Sequence, residues 1–234
     1  MTVRTEIRPA PQLQRWWRRP WIGPLALLVF TFLAFSLPPY LAFDPVRSRV
    51  PQPAGFPAHY WFLVAHVIFG SVAMVGAVLQ IWPWLRRTHP VFHRHTGRAY
   101  VFAGVLPAGV LALTIGSQSP FGPITQVSDV VAALLWLGCT FAGWRAVRER
   151  RFDDHRRWMI RSASLTFSIL VNRLISPIAM VVLEPQIATT FGGSELAYSQ
   201  SVAAISSWGS VALALVLSQL YLDRRPARQP AGAR

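Results

Sequence analysis

The sequence predicts an all-α integral membrane protein of about six transmembrane helices, with a central four-helix bundle built from helices 2–5. Three observations carry this reading. Hydrophobic residues make up 53% of the 234 residues and charged residues only 14%, against roughly 25% charged in soluble domains. The apolar residues gather into six runs, at about 21–41, 60–82, 99–117, 129–148, 158–182 and 202–222, each near the roughly 20 residues a helix needs to cross a bilayer core of about 30 Å. The segments between the runs alternate between rich and poor in arginine, as the positive-inside rule requires.

Residues 1–20 read as a basic cytoplasmic segment carrying Arg4, Arg8, Arg15, Arg18 and Arg19. The apolar stretch from Trp21 to Phe43 is too long for a signal-peptide core, and Leu41-Ala42-Phe43 is a poor cleavage site, so it reads as an uncleaved first helix. The loop after helix 2 carries Arg86, Arg87, Arg94 and Arg98, and that after helix 4 carries Arg145, Arg148, Arg150, Arg151, Arg156 and Arg157. The first loop has only Arg47 and Arg49, and the third and fifth have none. Both termini are therefore expected inside, with residues 21–222 as the membrane domain and 223–234 as a disordered cytoplasmic tail. In helix 4, Ser128 is the expected N-cap, with Asp129 favourable in the first turn. Trp16, Trp17, Trp21, Trp82, Trp84, Trp144 and Trp158 stand at the expected inner boundary and Tyr60 and Trp61 at the outer one, where amphipathic rings prefer to sit.

The formal charge is +14, and all 23 basic residues are arginine. In a soluble protein this would suggest nucleic acid. Here the arginines flank apolar runs and face the anionic headgroups of the lipid bilayer, so no nucleic-acid partner is expected. The single cysteine, Cys139, lies inside an apolar run and reads as a small buried residue.

Helix 2 carries a stripe of small and polar residues, His66, Gly70, Ala73, Ala77 and Gln80, at spacings that fall on one face. Such a stripe fits either a packing seam or a site inside the bundle. Helix 5 places Arg161, Ser164, Ser168 and Asn172 on one face, with Arg173 beside them and Pro177 beyond. Arg173 lies about 15 Å from the outer end of the helix at the usual rise, too deep to reach the headgroups easily. His66 and Asp129 sit in the same half and are its expected partners, either as a structural ion pair or as part of a site for an anionic ligand or a proton. The interior site read from the sequence is therefore His66, Gln80, Asp129, Asn172 and Arg173.

A second constellation marks the cytoplasmic rim: His93, Arg94, Arg98, His155 and Arg161, with His89 and His95 nearby. Cationic neighbours and the lack of Cys or carboxylate on the same turn argue against zinc. An anionic headgroup suits the rim better. Bis-histidine haem needs two histidines at one depth, and His93 with His155 is the one pair that qualifies. Phe92-His93-Arg94 in the first inner turn and Phe152-Asp153-Asp154-His155-Arg156 in the second suggest a weak internal repeat of two hairpins.

The run from His66 to Gly76, then Gln80, Arg86, His93-Arg94 and Gly97-Arg98-Ala99-Tyr100, and the second run from His155 to Ser162 with Arg173, resemble the bacterial membrane-protein family called domain of unknown function 2306, over about residues 60–180. The resemblance implies a multi-pass protein of a bacterial cytoplasmic membrane and supplies no reaction. Two functions follow as expectations. One is a non-enzymatic or accessory protein whose interior polar site takes a small ligand, a lipid headgroup or a proton, alone, as a homo-oligomer or with a membrane partner. The other is a b-type haem or quinone-linked electron-transfer protein.

Overall fold

A computed structural model describes residues 21–224. The basic segment expected over residues 1–20, with Trp16, Trp17 and its five arginines, and the tail from 225 onward lie outside the described residues. Within them the chain is helical, with no strand. The helices are α1 (Ile22–Ser36), α2 (His59–Ile81), α3 (Pro90–Ser117), α4 (Pro123–Arg148), α5 (Phe152–Gln186) and α6 (Glu195–Asp223). The last five are long and apolar enough to cross a membrane, and α1 is a shorter apolar helix. A brief helix, Pro38–Leu41, continues it after a bend.

The apolar runs locate each of these six helices, but local chemistry sets the ends. Helix α3 begins nine residues before its apolar run, because Pro90 at its N-terminus starts a helical turn that carries His93 and Arg98. Helix α4 begins at Pro123, with Gly122 as its N-cap. Gly122 holds φ at +88°, and a Cβ there would meet the Gln200 carboxamide at 2.9 Å. The expected N-cap at Ser128 is thus corrected: Ser128 is buried one turn inside, and its hydroxyl donates to Ser207 Oγ of α6 at 2.8 Å. Helix α6 is capped by Ser194, whose side chain accepts from the Ala197 amide at 3.2 Å.

Helices α2, α3, α4 and α5 close into a ring in sequence order. Helix α1 lies against α2 and α5 through Val29, Met74, Val78 and Leu170. Helix α6 packs along α4 and α5, with Val211 on Cys139 and Leu165. The outward faces carry Phe30, Phe102, Leu134, Phe141, Ile178 and Leu217, all exposed, as surfaces solvated by lipid should be. Without a hydrophobic driving force between helices, close packing must supply the cohesion. Small residues make it possible: a Cβ on Gly104 would lie 2.8 Å from the Ala73 backbone, and one on Gly143 would lie 2.6 Å from Met159 Sδ.

Two helices depart from ideal geometry where they approach the ring's centre. Helix α3 passes through a π-helical stretch, Ala99–Val105. Helix α5 breaks at Phe167 into Phe152–Thr166 and Ser168–Leu183, and Pro177 lies inside the second part. Irregular backbone at membrane depth persists where it is buried in protein or lines a cavity.

Candidate functional site

The helices part in the arginine-poor half and enclose a cavity of about 390 Å³. All six contribute to its wall, as do Arg49 and Val50 of the first loop and Ser119–Phe121 of the third. His66, Asp129, Asn172 and Arg173 line it together, along with Gly70 of the α2 stripe. Four of the five interior positions read from the sequence thus share one cavity.

Gln80 is the exception. It lies near the opposite end of α2, where its Nε2 donates to the His93 carbonyl at 2.9 Å and to Thr96 Oγ1 at 2.6 Å. The α2 stripe therefore has three uses. His66 and Gly70 face the cavity, Ala73 and Ala77 are buried against α3, and Gln80 ties down the first turns of α3.

His66 Nδ1 lies 2.9 Å from the Ala108 carbonyl. A carbonyl only accepts, so Nδ1 carries the proton and donates it. The half-buried ring lines the cavity, and this tautomer leaves Nε2 as its acceptor. Asp129 accepts from the Ser207 hydroxyl at 2.8 Å, and its Cβ packs where Gly116 has none.

The expected ion pair between Arg173 and Asp129 or His66 is absent. Among the described residues all four ion pairs are exposed and local: Asp44 with Arg47, and Glu149 or Asp154 with Arg145 and Arg151. The serine of α6 occupies the Asp129 carboxylate, while Arg173 is exposed toward the cavity. An arginine near midplane costs at least about 2.5–3.5 kcal/mol unless paired or hydrated. Here the cavity offers room for water or a ligand. Arg49 lines the same cavity, its guanidinium 3.9 Å over the Phe35 ring, and so does Tyr40, which is 6% exposed.

The cavity floor is a hydroxyl network that the sequence did not announce. Tyr100 OH lies 2.6 Å from Ser162 Oγ and 2.9 Å from Thr166 Oγ1. Ser162 meets Thr140 Oγ1 at 2.7 Å, and Trp136 Nε1 donates to Thr166 Oγ1 at 2.9 Å. These five side chains join α3, α4 and α5. The signal available in the sequence was weak: Ser162 and Thr166 stand one helical turn apart, on the side of α5 away from Ser164 and Ser168.

At the basic end, His93 and His155 each occupy the fourth position of their helix, α3 and α5. His155 Nδ1 donates to the Gly143 carbonyl at 2.8 Å, which fixes Nε2 as the free nitrogen. His93 Nδ1 is buried without a protein partner, and the two rings are within electrostatic reach of each other. The rim residues Arg94 and Arg98 are exposed. Arg161 donates to Gln219 Oε1 at 2.8 Å and lies 5.0 Å over the Trp158 ring. In the turn after α4, the Arg145 and Arg151 guanidiniums hold the Glu149 carboxyl below the usual carboxylate range. Among the described residues no group of three His, Cys, Asp or Glu side chains converges to hold a metal ion.

The sequence profile of the family described as "Predicted membrane protein (DUF2306)" matches residues 63–222. The chain belongs to this family. Its match covers α2 to α6, hence the ring and the α6 wall of the cavity, and begins beyond α1. No curated protein and no solved structure matches the chain.

Proposed function

We propose that this member of the DUF2306 family is a membrane-embedded small-molecule-binding protein, and that its ligand occupies the cavity lined by His66, Asp129, Asn172 and Arg173. The single observation that carries this reading is the cavity itself. Its volume of about 390 Å³ falls in the range of small-molecule sites, about 300–1,000 Å³. Its lining is mostly apolar with a few convergent polar groups, the usual make-up of such a site. Membrane interiors rarely leave an unpaired charge without purpose.

Gly70 supplies the test, because a Cβ there meets nothing within 4 Å and points into open space. Gly70→Phe should fill the cavity from one wall without disturbing α2. Purified in native lipid particles, the wild-type protein is expected to carry a defined small molecule, detected by mass spectrometry of the extract, that the monodisperse variant lacks. Identical extracts from the two proteins would contradict the proposal.

The membrane is proposed to be the bacterial cytoplasmic membrane, with the basic end of the bundle inside. Reporter fusions at residues 50, 120 and 190 should then read outside, and those at 90, 152 and 234 inside. An inside report at 120 would reverse the assignment.

A second reading places a b-type haem at the basic end. The observation favouring it is that His93 and His155 hold matching positions at the basic ends of α3 and α5, His93 with a buried unpartnered Nδ1 and His155 with its Nδ1 committed to a carbonyl. Protein expressed with haem available should then show a reducible Soret band that either alanine substitution abolishes. A colourless protein removes this reading.

A further inference from the structure

We infer that the cavity takes an amphiphile with a single anionic head, the head held by Arg173 and Arg49 and the apolar body directed toward Met74 and Trp136. This rests on the proposal that the cavity is a ligand site and adds the chemistry of the ligand.

The charge balance of the wall comes first. The charged side chains lining the cavity are Arg49, Asp129 and Arg173. Two cations and one anion leave an excess of one positive charge even with Asp129 ionised. Neither arginine is neutralised by the protein: among the described residues Arg173 has no ion pair or hydrogen bond, and Arg49 has a ring partner rather than a carboxylate. The acids of this end are engaged elsewhere or lie outside the wall. Asp44 pairs with Arg47, Asp129 accepts from Ser207, and Glu184 and Glu195 line a separate surface pocket between α5 and α6.

Geometry adds direction. Arg49 belongs to the loop before α2, and Arg173 lies one turn before Pro177 on α5. They come from different elements and line the one cavity, together with the buried Tyr40. A guanidinium carries a planar fork of donors suited to a carboxylate or phosphate, and two such forks, neither neutralised by a carboxylate among the described residues, line one cavity. Beyond it the wall turns apolar, through Leu33, Leu63, Met74, Ile169 and Val211, and ends on the hydroxyl floor under Thr166. A wholly hydrophilic anion would leave that surface unused, and a neutral lipid tail would leave the arginines bare. An amphiphilic anion satisfies both. The same chemistry is presented by a free carboxylate amphiphile and by an anionic lipid of the bilayer.

The experiment uses full-length protein in zwitterionic lipid nanodiscs and radiolabelled octanoate as the probe. Octanoate is expected to bind saturably and to be displaced by octyl phosphate, while octan-1-ol and octylamine compete at least about tenfold less well. Arg173→Ala and Arg49→Ala should each weaken octanoate by about tenfold or more with no loss of monodispersity, because neither arginine has an ionic partner to orphan. Arg173→Lys should recover part of the binding, since it keeps the charge and loses the fork. Adding phosphatidylglycerol to the nanodiscs identifies the source: displacement of octanoate assigns the seat to a bilayer lipid, and no displacement assigns it to a free amphiphile. If octanol competes as well as octanoate, and only Gly70→Phe abolishes binding, the anionic head is refuted while the cavity reading stands. If no octyl probe binds saturably to the wild type, both are refuted.

Discussion

Along one face of α2 the same kinds of residue serve opposite ends in the two halves of the bundle. In the basic half, glycine and alanine bring helices into contact: Gly104 against Ala73, Gly76 against Tyr100 and Gly143 against Met159. In the arginine-poor half Gly116 still packs on Asp129, but Gly70, on the same face of α2 as Ala73, meets nothing. The difference arises on the partner helices. Tyr100 and Trp136 fill the ring's middle and are pinned by Ser162, Thr140 and Thr166, so the basic half is closed. Above them α5 breaks at Phe167, and its second part presents Ser168, Asn172 and Arg173 to open space. A small residue in a membrane helix is thus a packing device only when a neighbour comes to meet it.

Substitutions that exchange these two conditions should show the contrast. The largest effect is expected at Gly104. A Cβ there collides with backbone at Ala73 rather than with a flexible side chain, so Gly104→Ala should cost about 1–3 kcal/mol, as overpacking does. Gly70→Ala, three residues from Ala73 and with nothing within 4 Å of the added Cβ, should stay within about 0.5 kcal/mol. Thermal unfolding of the two variants in one detergent checks both; equal losses would erase the distinction between the halves.

Next in size is Tyr100→Phe. It removes one hydroxyl from a network of five side chains and leaves buried partners on Ser162 and Thr166 short of a bond. Ser162 keeps Thr140, and Thr166 keeps Trp136 and the Ser162 carbonyl, so the expected loss is about 0.5–1.5 kcal/mol, with greater exposure of the cavity floor. An unchanged melting temperature would mean that the network is dispensable. The smallest effect belongs to the turn after α4. Glu149 is exposed, and its carboxyl is held below the usual range by hydrogen bonds from Arg145 and Arg151. A depressed carboxylate contributes stability above its unfolded value, near 4.3, and loses it as the pH falls through the lower folded value. Salt and solvent screen this turn. Glu149→Gln should therefore leave the melting temperature at neutral pH almost unchanged and slightly reduce its dependence on acid, measured by pH-resolved unfolding.

Much of this was legible in the sequence, for identifiable reasons. Composition and hydropathy located all six helices, because lipid imposes length and apolarity directly on the chain. Helix ends were less legible. Ser128 has the chemistry of an N-cap, but Pro123 and Gly122 supply a start six residues earlier, and a burial partner on α6 claims the serine. His66, Asp129, Asn172 and Arg173 announced a shared interior because each is costly in lipid. Their pairing was not readable, since a competing hydroxyl, Ser207, comes from the sixth helix and no periodicity connects it to Asp129. Gln80 shares the stripe with His66, yet 14 residues of helix separate them by about 21 Å. Face alone gives direction, and depth must decide which residues meet. The hydroxyl floor stayed hidden because serine and threonine are commonplace in membrane helices and often bond only their own backbone.

The most direct test of the open and closed halves is thiol accessibility on a single face of α2. Cys139 is buried against Leu165 and Val211, at 7% exposure, and its replacement by alanine gives a background without thiols. In that background Gly70→Cys and Ala77→Cys place one thiol in each half, seven residues apart. In intact membranes a membrane-impermeant maleimide should label position 70 from the arginine-poor side and leave position 77 unmodified until the protein is denatured. Equal labelling at both positions, or protection of both, would contradict a cavity that ends on the Tyr100 floor.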